Sequence, residues 1–215
     1  MKFNDYQEKT ATTAIYPEIG GRKYIYPILG LIGEAGEVAG KVKKIFRDDD
    51  GVFTDEVKEK ISGELGDVLW YVAQVATTFG YDLEDMVNTY LDDLDYDLPD
   101  LLQTFEECQE VVTKDERAIE TYIEETGVVD AAFSLATDAV RILKAISIDD
   151  KGNSIEWSGN ERKHLAAKSL GGCVELIALM AAAFELNIGE ISQANLDKLQ
   201  SRKERNVIKG DGDNR

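Results

Sequence analysis

Cysteine, histidine and proline are scarce in this chain, and each scarcity removes a class of explanation. The two cysteines, Cys108 and Cys173, fit no paired metal-ligand spacing and no disulfide framework, so they read as buried thiols in a reducing compartment. The single histidine, His164 in ERKHLAAK, leaves out the ExxH pairs of a carboxylate-bridged di-iron bundle and reads as an exposed helical residue. The three prolines, at 17, 27 and 99, all stand near places where a segment should begin or end. No run of about 18 apolar residues occurs, and no basic segment precedes an apolar stretch at the start, which disfavours a membrane span or a secretion signal. Positive charge is short too. Lys and Arg number 24 against 42 Asp and Glu, a formal charge of −18. A field of that sign repels nucleic-acid backbone and anionic membrane, while small anions can still bind beside a metal. The expectation is a soluble cytoplasmic protein with no nucleic-acid polymer and no membrane as partner.

What is present is helical periodicity. Apolar residues recur at three- and four-residue spacing, and strand-like alternation is scarce. The spacing predicts helices over about 3–15, 28–46 and 55–79, the second with its stripe on Leu31, Ala35, Val38, Val42 and Ile45. RDDDGVFT, 47–54, reads as a loop, and Gly80 as the end of the third helix. Asp82, with Asp85 three residues on, reads as the cap of a fourth helix reaching about Leu94. The fold class expected is all-α, a four-helix bundle.

LDYDLPD, 94–100, acidic and broken by Pro99, reads as a linker, and the chain beyond it looks like a second copy. Residues 75–94 align with 180–199 at a shift of 105, placing Phe79 on Phe184, Leu83 on Ile188, Met86 on Ile191, Leu91 on Leu196 and Leu94 on Leu199. Upstream, GLIGEAGEV matches SLATDAVRI at a shift of 104. The division expected is 1–95 and 100–200 as tandem repeats, with 201–215 as a basic, Gly/Asp-rich tail.

The halves differ where chemistry would sit. Residues at i and i+3 share a helix face, so Glu34 pairs with Glu37 in GEAGEV and Glu64 with Asp67 in GELGD. Such carboxylates meeting between antiparallel helices repel one another unless a cation bridges them, and hard oxygen ligands suit Mg²⁺ or Mn²⁺. A solvated acidic face is the other reading. Gly33, Gly36, Gly63 and Gly66 flank the acids and read as points of close helix approach. The second-half positions are Asp138, Arg141, Ser169 and Gly172, with Glu175 nearby, and do not make the same site.

YPILGLIGEAGEVAGKVKK followed by GELGDVLWYVAQVA strongly resembles the MazG-like nucleoside triphosphate pyrophosphohydrolases, whose pattern is ExxE and then, some tens of residues later, ExxD. The resemblance extends to YQEKTATTAIYP at 6–17 and resumes at 195–215, NLDKLQSRKERNVIKGDGDNR. Short family members pass almost directly from the fourth helix into that tail, whereas here the second copy intervenes. Related dimeric dUTPases hold two unequal repeats in one chain. A MazG-like pseudo-dimer with one working site is therefore the expected fold, and a homodimer of such chains the expected assembly.

The resemblance implies hydrolysis of an NTP or dNTP at the α–β linkage, giving the monophosphate and pyrophosphate, with Mg²⁺ (or Mn²⁺) as cofactor. It implies Glu34, Glu37, Glu64 and Asp67 as metal ligands, with Glu37 or Glu34 also polarising the attacking water. Lys41 and Lys44, one and two turns beyond Glu37, are candidates for triphosphate contacts, as is the basic face Lys198, Arg202 and Arg205; surface solubility and a helix C-terminus are the plainer readings. Tyr71, Trp70 and Trp157 are candidates for base stacking or for ordinary packing. From another class, a non-catalytic acidic helical module that binds a partner protein fits the same composition.

Overall fold

The computed structural model describes residues 1–98, 100–114, 127–146 and 159–207. Pro99, Trp157 and the Lys209 to Asp213 turn of the tail lie outside the described residues. Among the described residues eight α-helices occur and no strand: α1 Phe3–Ala11, α2 Ile25–Asp48, α3 Asp55–Phe79, α4 Leu83–Asp93, α5 Phe105–Val112, α6 Gly127–Ile146, α7 Gly159–Ala183 and α8 Ile188–Glu204. The chain is all-α, as its periodicity predicts.

Helix ends show where local rules give way. The first helix stops at Ala11, short of the expected residue 15, because the hydroxyls of Thr10, Thr12 and Thr13 turn back onto the carbonyls of Gln7, Lys9 and Thr10. Conversely, α2 begins three residues early and takes Pro27 into its first turn, where a missing N–H costs nothing. Thr54 caps α3 by accepting from Val57 N, and Gly80 closes it at φ 70°, a left-handed conformation that suits glycine. Asp82 is the residue before α4, but its side chain makes no cap bond. Gln7 of α1 does that job: its Oε1 accepts from Leu83 N at 2.8 Å while its Nε2 donates to Tyr81 O at 2.9 Å.

Burial follows the stripes. The α2 positions Ile28, Leu31, Ala35, Val38, Val42 and Ile45 are all buried, and at about 1.5–3 kcal/mol for each fully buried aliphatic side chain the stripe contributes on the order of 10 kcal/mol before chain entropy is counted. One hydrophobic core runs through both halves of the chain. Within the halves α2 packs on α3 and α6 on α7; across them α4 packs on α7, α8 on α3 and α2 on α6. α7 is long and apolar enough to cross a membrane, yet its apolar window is 83% buried inside the protein.

Contacts in one half recur in the other. Phe3 N donates to Gln103 O at 2.9 Å and Phe105 N to Met1 O at 3.0 Å, with the two Phe rings 4.7 Å apart, edge to face. Gln109 donates to Leu186 O and accepts from Ile188 N just as Gln7 does for Tyr81 and Leu83. A Cβ at Gly66 would meet Asn195 and Ile191, and one at Gly171 would meet Tyr90 and Met86, positions 105 residues apart in each pairing. The segment expected as a linker is held by Tyr96, whose hydroxyl donates to Glu175 at 2.6 Å, and just beyond it Asn88 exchanges two 2.8 Å bonds with the Leu102 backbone. α8 continues through Glu204, so the tail expected from residue 201 begins as helix.

Candidate functional site

Helices α2 and α3 run antiparallel, with Gly30 against Tyr71 near one end and Ile45 against Val57 and Ile61 near the other. That register places Glu34 opposite the Glu64 and Asp67 turn. One carboxylate oxygen from each of Glu34, Glu64 and Asp67 lies within 4.8 Å of the others, and this is the one such group of three acids among the described residues. The donor set fits a small divalent cation, since ligands about 2.1 Å from a common octahedral centre stand roughly 3 to 4 Å apart.

Two ammonium groups face these carboxylates. Lys41 on α2 pairs with the buried Glu64 at 2.8 Å. Lys198 on α8 lies 2.7 Å from both oxygens of Asp67. Asn195, one turn before Lys198, donates to Asp67 Oδ1 at 2.7 Å, and its own carbonyl accepts from the buried Tyr6 hydroxyl at 3.4 Å. Asn195 and Lys198, which both hold Asp67, come from the far half of the chain. Burial pushes the Glu34 carboxyl up to about 7; the charges of Asp67, Glu37 and Glu64 act in the same direction, and Lys198 against it. Tyr6 is raised by burial first and by Asp67 second.

The remaining candidates separate. Glu37 is exposed and stands outside the group of three, though its charge reaches Glu34. Successive helical residues turn by about 100°, so a partner at i+3 is offset by roughly 60° from its mate and here faces solvent. Lys44 is exposed and, with Lys41, Lys60, Asp48, Asp49 and Glu56, lines a groove leading away from the cluster between α2 and α3. Tyr71 is half-buried against Gly30, and its phenol is raised by burial first, then by Tyr26, Glu34 and Asp67. Trp70 is buried and donates to Thr13 Oγ1 at 3.0 Å, which makes it a packing residue. Arg202 is 5% exposed, turned into the protein, and Arg205 is exposed just past the end of α8. His164 is exposed, with Nδ1 3.3 Å from Asp93. Of the four flanking glycines only Gly66 marks a close approach, with Asn195 Cβ 3.0 Å from where its Cβ would be; Gly33, Gly36 and Gly63 face open space.

The two residues that sequence reasoning missed are Asn195 and Tyr6. Asn195 precedes Lys198 by three residues in NLDK, a same-face spacing that could have drawn attention to it; no local signal marked Tyr6.

The matching region of the second half is differently built. Asp138 pairs with Arg141, the Ser169 hydroxyl donates to the Asp138 carbonyl at 2.7 Å, and Glu175 accepts from Tyr90 at 3.0 Å and Tyr96 at 2.6 Å. The Asp138 carboxylate occupies the space a Cβ on Gly172 would need. Burial raises the Asp138 carboxyl to about 6, against the pull of Arg141. Here Arg141 pairs with Asp138, and two tyrosine hydroxyls take up the oxygens of Glu175.

Residues 26–95 match the MazG nucleotide pyrophosphohydrolase domain, a span that contains all four acids, Lys41 and Tyr71. The Gene 37 protein of Mycobacterium phage L5 is 52% identical over 80 residues, which cover 35% of this chain and 70% of that protein. No solved structure matches the chain.

Proposed function

Because the chain belongs to the MazG nucleotide pyrophosphohydrolase family, we propose that it hydrolyses a nucleoside triphosphate, ribo or deoxy, to the monophosphate and pyrophosphate with Mg²⁺ or Mn²⁺. The observation that carries this reading is the convergence of Glu34, Glu64 and Asp67 within 4.8 Å of one another inside the matched span.

In this reading the oxygens of Glu34, Glu64 and Asp67 hold the cation, which when bound lends positive charge to the phosphoryl oxygens and lowers the pKa of water. Glu37, outside the group and open to solvent, takes the proton of the water whose oxygen attacks the α-phosphorus. The α–β bridging bond breaks and pyrophosphate leaves. Lys41, Lys198 and, along the groove, Lys44 hold the triphosphate charge; Arg205 stands beyond them at the end of α8. Tyr71, in reach of the charges of Glu34 and Asp67, borders the nucleoside. The open space beside Gly33, Gly36 and Gly63 leaves this side accessible.

We read the second half as a degenerate copy that completes the first. The recurrence of the Gln7 bonds at Gln109 and of the Gly66 contacts at Gly171 supports a pseudo-dimer with one working site.

The test is pyrophosphate release from a panel of NTPs and dNTPs with Mg²⁺ and with Mn²⁺, run beside Glu64→Gln and Asp67→Asn. Both variants should lose at least about 100-fold in kcat, the scale of removing one preorganised electrostatic group. No metal-dependent release from any nucleotide by the wild type would overturn the activity, and full rate in both variants the site.

A further inference from the structure

The acid cluster already contains cations of its own. Lys41 Nζ sits 2.8 Å from Glu64 Oε1, and Lys198 Nζ bridges the two oxygens of Asp67 at 2.7 Å. These are not surface pairs: the side chains of Glu64 and Asp67 are 6% and 18% exposed, and those of Lys41 and Lys198 are 21% and 29% exposed. Charges so placed attract far more strongly than on an open surface and are poorly rehydrated if separated. Lys198 also occupies the bidentate position on Asp67. A metal coordinated by either of those oxygens would stand close to the ammonium, and like charges at that separation do not coexist at low cost. Each lysine must therefore leave its carboxylate for metal to enter, and each then needs another anion.

We propose that Lys41 and Lys198 are resident counter-cations that hold down the affinity of this cluster for a free divalent cation, and that they release Glu64 and Asp67 when a metal-triphosphate complex brings phosphates to receive them. The inference rests on the cation and substrate class of the reading above and adds an order to their arrival. In a chain of charge −18, which would otherwise collect divalent cations, two internal ammoniums keep the acids neutralised until substrate is present. Because coupling is reciprocal, nucleotide must tighten metal binding as much as metal tightens nucleotide binding. Lys198 lies on α8, so the second half takes part in the exchange.

The experiment is Mn²⁺ binding to the full chain, followed by the electron paramagnetic resonance of free Mn²⁺, for wild type, Lys41→Met and Lys198→Met. Lys43→Met, an equal charge change at an exposed position of α2, is the control for long-range charge. Without nucleotide, both site variants should bind Mn²⁺ about tenfold more tightly than wild type, and the control less than about twofold, as expected when a partly buried charge rather than a screened one is removed. With an α,β-methylene nucleoside triphosphate, which cannot be cleaved at that linkage, wild type should gain Mn²⁺ affinity and the site variants should lose most of that gain. Lys41→Gln and Lys198→Gln repeat the measurement should the Met variants fail to fold. Site variants that bind free Mn²⁺ no more tightly than Lys43→Met overturn the proposal. If wild type releases pyrophosphate yet the affinities do not move, only this inference falls; if no nucleotide is cleaved and Mn²⁺ does not bind even with the analogue, the functional reading falls first.

Discussion

Lys198 Nζ lies 2.7 Å from both carboxylate oxygens of Asp67, although 131 residues separate the two in the chain. The contact joins a helix of the second half to the acid turn of the first, so the site belongs to the whole folded chain rather than to the matched span alone. Lys198→Ala should lower kcat/KM for pyrophosphate release by about 100-fold, the scale of losing one preorganised positive group at a developing charge. Its urea midpoint should fall as well, because Asp67, only 18% exposed, loses the ammonium paired with it. A variant with full kcat/KM would remove Lys198 from the site.

The Glu34 carboxyl gives the metal-free protein a distinctive pH dependence. Its value in the fold, about 7, lies above the 4.5 of an unperturbed glutamate, with burial as the main cause. The folded state therefore holds this proton more tightly than the unfolded chain does, and the group's stabilising contribution is present below pH 4.5 and lost as pH rises through about 7. Glu34→Gln keeps the shape and removes the titration. In EDTA its melting temperature should exceed that of wild type at pH 8, with the gap narrowing toward pH 4.5. Parallel melting curves across that range would refute the assignment.

Gly171 and Gly66 sit at the two matched helix crossings but with different clearance. A Cβ at Gly171 would run into Tyr90 Cβ and come 2.8 Å from Met86 O, a backbone atom that cannot swing away. At Gly66 the nearest atom, Asn195 Cβ, would be 3.0 Å away and the backbone 3.5 Å. Gly171→Ala should cost about 3 kcal/mol, the upper part of the overpacking range, even after alanine's better helix propensity. Gly66→Ala should stay within about 1 kcal/mol of wild type, since propensity offsets the tighter contact. Guanidinium unfolding of the two variants checks the order, and the reverse order would refute the tighter crossing at Gly171.

Gly30 is the glycine that makes room for Tyr71. Its Cβ would overlap the Tyr71 ring, which is itself held edge to face by Trp70 with centroids 4.9 Å apart. Gly30→Ala should destabilise by about 1–3 kcal/mol, but should add little further loss in a chain that already carries Tyr71→Ala, because the clash partner is gone. Simple addition of the two single losses, read from urea midpoints, would show that the residues do not touch.

Much of the fold was legible because helical burial is a local pattern. The α2 stripe and the span and end of α3 follow from spacing and from Gly80, whereas the Thr54 cap emerged only in the structure. The start of α4 was less legible, because its cap is Gln7 from a helix about 75 residues upstream rather than the nearby Asp82. Asp82 holds the cap position, as proximity in sequence suggested, but the cap bond itself comes from a distant amide. Likewise the Gly33 and Gly36 pattern resembled a packing seam, yet those glycines face open space, since only the partner helix decides which side of a helix is crossed.

The same division runs through the site. Glu34 with Glu37 and Glu64 with Asp67 were visible as pairs because backbone rise and turn place i and i+3 on neighbouring parts of one face. Which member of the first pair joins the other helix was not visible, since a rotation of α2 by roughly 60° would exchange Glu34 for Glu37 without changing the pattern. Residue order alone was enough to specify the helical class, the spans of α2 and α3, the acids and the lysines at 41 and 198, all properties of single segments. Packing of the helices against one another turned Glu34 inward and brought Lys41 and Lys198 to Glu64 and Asp67. Those outcomes depend on how buried stripes on separate helices are satisfied together, a constraint that no one segment carries.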